Sequence, residues 1–188
     1  MGKKIASGSL LALCSTLAFA HPGDALTSTA AGFIHPFTGW DHFLMLLAFG
    51  VWSAKSSGKA SVGLQITFML TLAFGASLGF IGLSFLGVEM AVAISVIAMG
   101  LLVTVKPPKS AIVRVSIVAT IAMLHGLAHG VELSSQHYVS VMIGMLLATA
   151  LISGIGYWVG SHRNQLVYWV NKGLALLMLG VGIMLLMV

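Results

Sequence analysis

The stretch AIVRVSIVATIAMLHGLAHGV, residues 111–131, decides what kind of protein this is. It has the ~20 residues that a helix needs to cross a ~30 Å hydrocarbon layer. A single cation, Arg114, lies near its start, and two imidazoles, His125 and His129, lie near its end. Five further apolar runs have comparable length: 33–53, 62–86, 89–105, 138–160 and 167–187. None shows the alternation of barrel strands, and only helices or closed barrels satisfy their own backbone in lipid. The expected fold is therefore all-α, a polytopic membrane helical bundle of six transmembrane helices with short loops.

Composition agrees. The 188 residues are 59% hydrophobic and 7% charged, with a mean hydropathy of +1.06. Soluble domains carry about 25% charged residues, so lipid must be the solvent for most of this chain. The net charge of +5 is not a nucleic-acid footprint. The cations fall in short clusters between apolar runs, which is a topology signal rather than a basic face.

The first residues read as a cleaved leader. Lys3 and Lys4 precede a short apolar run, Ile5 to Leu17, and Ala18-Phe19-Ala20 is a small-residue cleavage site. This divides the chain into a signal peptide, 1–20, and a six-helix transmembrane domain, 21–188. The one cysteine, Cys14, lies in the leader, so the mature chain would have no thiolate ligand. Cleavage would also make His21 the new amino terminus, where its α-amine and imidazole could chelate a metal together.

Cleavage places the mature amino terminus outside the cytoplasm, and an even number of spans returns the carboxyl terminus to the same side. The connections 54–61, 106–110 and 161–166 then face the cytoplasm. They hold Lys55, Lys59, Lys106, Lys109 and Arg163, and Arg114 and Lys172 lie near the cytoplasmic ends of their spans. The external connections near 87–88 and 132–137 hold no Lys or Arg, as the positive-inside rule requires. The expected location is a bacterial inner (cytoplasmic) membrane with both mature termini periplasmic. Three small-residue faces, Gly75/Gly79, Gly126/Gly130 and Gly156/Gly160, suit close helix contact within the chain or in a homo-oligomer.

Ionisable groups inside membrane spans usually face a cavity or a partner. Here they gather. His35, Asp41 and His42 open the first span, His125, His129 and Glu132 close the fourth, and Glu89 begins the third. With the orientation above, all seven fall in the outer half of the bilayer. His125, His129 and Glu132 share one helical face through their spacing of four and three. His35 and His42, seven apart, share a face if their segment is one helix, with Pro36 in its first turn and Gly39 loosening it. Imidazole with carboxylate suits Ni, Co, Zn or Fe(II). Asp41 either ligates or orients an imidazole. Asp24, His137 and His162 read as solvated residues.

Two other chemistries fit less well. A metal-dependent intramembrane hydrolase would use His-x-x-x-His to activate water, but Gly126 stands where its general base would be. A haem carrier would leave the three carboxylates unexplained.

At these residues the chain resembles the HupE/UreJ family of small nickel permeases. The likeness rests on His-Pro-x-x-Gly-x-Asp-His, residues 35–42, on His-Gly-x-Ala-His-Gly-x-Glu, residues 125–132, and on Glu89 ahead of Ala93-Ile94-Ser95-Val96. The resemblance implies secondary uptake of Ni²⁺, or of Co²⁺, from periplasm to cytoplasm for hydrogenase or urease maturation. It implies no prosthetic group, no enzymatic activity, and a functional set of His35, Asp41, His42, Glu89, His125, His129 and Glu132. The client enzymes and the choice of nickel follow from the resemblance alone.

Overall fold

A computed structural model describes residues 27–56, 58–133, 137–162 and 164–187. The leader, 1–20, and His21 lie outside the described residues. Among those described there are seven helices and no strands: α1 (Thr29–Thr38), α2 (Trp40–Ser53), α3 (Gly58–Phe80), α4 (Val88–Leu102), α5 (Ala111–Glu132), α6 (Tyr138–Ser161) and α7 (Gln165–Leu186).

Four of these, α3, α5, α6 and α7, are long and apolar enough to cross a membrane. Their outward faces carry large apolar side chains with no protein cover. Leu70 and Phe74 on α3, Leu147 and Leu151 on α6, and Leu176 and Leu177 on α7 are all exposed. Water would not tolerate such continuous apolar surface, whereas lipid tails do. Trp40 near one end of the bundle and Trp158 and Trp169 near the other are also exposed, as aromatic residues at the two interfaces should be.

Three expected boundaries move, each for a local reason. The first span is not one helix. Gly39 is extended, with φ −95° and ψ 114°, and separates α1 from α2. Pro36 consequently sits in the last turn of α1 and not in a first turn, because the helix begins earlier, at Thr29, under a cap from Ser28 Oγ to the Ala31 N–H at 3.1 Å. The second long helix starts at Gly58 and ends at Phe80, since Gly82 takes a left-handed φ of 90°. The helix beginning near Glu89 stops at Leu102, which leaves α4 with 15 residues. At 1.5 Å per residue that is ~22 Å, short of the hydrocarbon thickness.

The helices pack as three pairs. α3 lies along α5, α4 along α7, and α1 and α2 both lie along α6. Glycine brings two of these pairs to backbone contact. A methyl group added at Gly75 or Gly79 would strike the Met123 or Leu127 carbonyl of α5. One added at Gly126 or Gly130 would strike the Leu72 or Ala76 carbonyl of α3. Gly156 and Gly160 meet the carbonyls of Leu47 and Val51 on α2 in the same way. All three small-residue faces are thus occupied inside the chain, and they lend no support to the oligomer they had suggested. Where the pairs meet, Phe49 of α2 stacks on Phe68 of α3 with centroids 4.4 Å apart, within a buried core that includes Met45, Trp52, Val96, Ile121 and Met178.

Candidate metal centre

The imidazoles occupy the seam between these pairs. His35 comes from α1, His42 from the first turn of α2, and His125 and His129 from the last two turns of α5. α5 packs chiefly against α3, and α1 and α2 against α6, so it is the side chains that reach across. The His42 and His129 rings have centroids 4.5 Å apart, His35 and His129 5.0 Å, His35 and His42 5.7 Å, and His42 and His125 5.8 Å. One ligand atom from each of His35, His42 and His129 lies within 4.8 Å of the others.

The break at Gly39 makes this arrangement. On one continuous helix, His35 and His42 would sit two turns apart, about 10 Å along the axis. With α1 and α2 bent at Gly39, their rings approach each other. Glycine is needed there for space rather than for conformation. A methyl at residue 39 would lie 2.8 Å from Asp41 Oδ1 and 2.9 Å from His42 Nδ1. The Asp41–His42 pair folds back over the bare Cα.

Second partners set which nitrogen is free. The His42 Nδ1–H donates to Asp41 Oδ1 at 3.0 Å, which leaves Nε2 as the lone-pair atom. The His125 Nδ1–H donates to the Ile121 carbonyl at 3.0 Å, with Ser95 Oγ 3.4 Å from the same nitrogen. That leaves His125 Nε2 buried with no hydrogen-bond partner, and His35 Nε2 is in the same condition. Buried imidazole nitrogens without partners are uncommon and expensive, and two of them on neighbouring imidazoles suit a ligand that brings positive charge. Neutral imidazoles with a carboxylate behind one of them are the donor set that suits a transition metal.

The expected set does not converge as a whole. His35, Asp41, His42, His125 and His129 come together. Glu132 stands at the margin, exposed, with Oε2 3.9 Å from His129 Nδ1, too long for a hydrogen bond. Glu89 is exposed in the first turn of α4 and is not in the group of converging ligand atoms. His137 precedes α6 and lines a separate cavity of about 470 Å³ with Thr29, Phe80 and Tyr138. His162 is exposed after α6, its Nδ1–H donating to the Trp158 carbonyl at 2.8 Å. Two contributors play parts the sequence reading did not give them, since Gly39 had been expected only to loosen the helix and Ser95 had no role. Gly39 makes room for the Asp41–His42 pair, and Ser95 backs His125 from α4. A glycine two residues before an Asp-His pair was a readable signal for the first. A serine in an apolar helix was none for the second.

The HupE / UreJ protein family model matches residues 9–185. Protein HupE of Rhizobium leguminosarum bv. viciae is 36% identical over 149 residues, which cover 79% of this chain and 78% of that protein. No solved structure matches. The family comprises transport and accessory membrane proteins, not enzymes, which removes the hydrolase alternative. A match that runs through both histidine motifs and nearly the full length makes this chain a member of the HupE/UreJ family.

Proposed function

We propose that the chain carries Ni²⁺, or Co²⁺, from the periplasm to the cytoplasm as a secondary transporter. His35, His42, His125 and His129 would form the ion's site, with Asp41 orienting His42. The observation that carries this reading is the approach of the His35, His42 and His129 ligand atoms to within 4.8 Å of one another. Bonds of about 2.1 Å from nitrogen to a first-row metal put neighbouring ligand atoms ~3–3.5 Å apart, so small side-chain rotations would close the site. Rings in mutual contact leave no slot for a haem macrocycle.

In this reading the chain makes six crossings. α1 and α2 together make the first and α4, although short, the third. The cation-bearing ends face the cytoplasm of a bacterial inner membrane after the leader 1–20 is removed, and both mature termini face the periplasm. Glu132, exposed beside His129, and Glu89, exposed at the same end, draw the hydrated ion toward the cluster. His21 at the new amino terminus could assist capture. Imidazoles then replace water stepwise. The backbones of α1, α2 and α5 can separate without breaking a close helix pair, since α5 holds to α3 and α1–α2 to α6. Release requires that binding be no tighter than escape allows. The metal would be destined for hydrogenase or urease maturation.

The test is uptake of radioactive nickel into cells expressing the chain, with cobalt and zinc as competitors. Uptake above cells lacking the protein, competed best by cobalt, supports the assignment. Correctly inserted protein with no uptake of any of these ions would sink it.

A further inference from the structure

The end of the bundle opposite the imidazoles holds a second concentration of charge that metal binding does not use. A cavity of about 320 Å³ opens there between the end of α2, the 103–110 connection and the start of α5. It is lined by Lys55, Ser56, Pro107, Pro108, Lys109 and Arg114.

Two of its cations are fixed by backbone oxygens. Arg114 Nη1 donates to the Pro108 carbonyl at 2.8 Å and to the Lys109 carbonyl at 2.9 Å. Lys55 Nζ donates to the Val103 carbonyl and, at 3.4 Å, to that of Val105. Neutral carbonyls orient these groups without cancelling their charge. No Lys or Arg among the described residues is paired with a carboxylate. Three of the chain's four carboxylates, Asp41, Glu89 and Glu132, sit at the other end of their helices, and Asp24 lies outside the described residues. Burial also pushes the Lys55 ammonium below the ordinary lysine value, a penalty that a nearby anion would relieve. On the same wall the Ser56 hydroxyl is buried with no hydrogen-bond partner.

The surroundings indicate what the anion is attached to. Beside the cavity, Val105 and, on the first turns of α5, Ile112, Val113 and Val115 expose apolar side chains. These would lie along acyl chains in a bilayer. We propose that this cavity seats the phosphate-bearing headgroup of an anionic phospholipid, with Lys55, Lys109 and Arg114 around the phosphate and Ser56 donating to it. Basic pockets between helices at this depth suit such headgroups. The proposal rests on the chain's being a membrane bundle and stands apart from the identity of any transported ion.

The experiment uses the full chain in neutral detergent, with short-chain phosphatidylglycerol, short-chain phosphatidylcholine and inorganic phosphate as probes. Retained lipid is read by native mass spectrometry and stabilisation by the melting temperature. Phosphatidylglycerol should be retained and raise the melting temperature, and phosphatidylcholine should do neither. Lys109→Gln should weaken phosphatidylglycerol binding about fivefold, the share of one basic residue at a membrane surface. Arg114→Gln should weaken it further, but Arg114 also holds the 108–109 turn, so Lys109, which is exposed, is the safer probe. Lys59→Gln, outside the cavity, should change nothing. Equal binding of the two lipids, or equal loss in the Lys59 and Lys109 variants, would overturn the site. Stabilisation by inorganic phosphate alone to the same degree would overturn the assignment to lipid.

Discussion

His42 and His129 place their rings 4.5 Å apart across the seam between α2 and α5, although each of those helices packs mainly against another, α2 on α6 and α5 on α3. The pair is therefore held from behind, by Asp41 on one side and by the α3–α5 packing on the other. Each support can be removed separately.

Asp41→Asn keeps the size of the side chain but removes the negative charge that holds the His42 Nδ1–H at 3.0 Å. Partners of this kind are worth about 10–100-fold in metal affinity. Nickel binding by purified protein, measured by calorimetry, should weaken by that amount, while the melting temperature without metal changes little.

Gly39→Ala should act through space. Its backbone, at φ −95°, accepts any residue, but the new methyl would press on Asp41 Oδ1 and His42 Nδ1. Uptake should fall about tenfold, roughly the effect of losing the Asp41 support. Gly63→Ala, where a methyl meets nothing within 4 Å, should transport like the parent. Equal activity of the two variants would show that the bend tolerates bulk.

Gly126→Ala tests the other support. A methyl there would strike the Leu72 carbonyl and force α3 from α5. Overpacking of this sort costs about 1–3 kcal/mol, to be read as a lower unfolding midpoint in detergent. Gly173→Ala, which faces open space, should leave the midpoint where it is.

The pH dependence follows from the ligands. Imidazole binds metal only when neutral, so protons compete with the ion. Nickel affinity should therefore decline as pH is lowered far enough to protonate the imidazoles, and recover when it is raised again. Affinity that does not respond to protons at any pH at which the protein stays folded would argue against imidazole as the working ligand.

Much of this was legible beforehand because lipid imposes simple rules. Apolar runs of membrane length, with polar groups collected at one end, announced a helical bundle and an imidazole site on it. The two histidine motifs named the residues whose rings come together. Less legible was what depends on where helices begin and cross. The run 33–53 reads as a single apolar segment, and nothing in its hydropathy marks the bend at Gly39 that lets His35 and His42 meet. Glu89 shares the expected depth with the imidazoles but stays exposed on α4, because depth along a helix says nothing about direction around it. The glycine faces predicted close contact but could not name the partner, since Gly126 and Gly130 would look the same against α3 or against a second copy.

The central claim is that the imidazoles at the α1–α2–α5 seam hold the ion, and X-ray absorption at the nickel edge of the metal-loaded protein tests it most directly. The account predicts nitrogen ligands at about 2.0–2.1 Å with the multiple-scattering pattern of at least three imidazoles, and the loss of one of them in His129→Ala. A shell of oxygen ligands alone, unchanged in that variant, would contradict it.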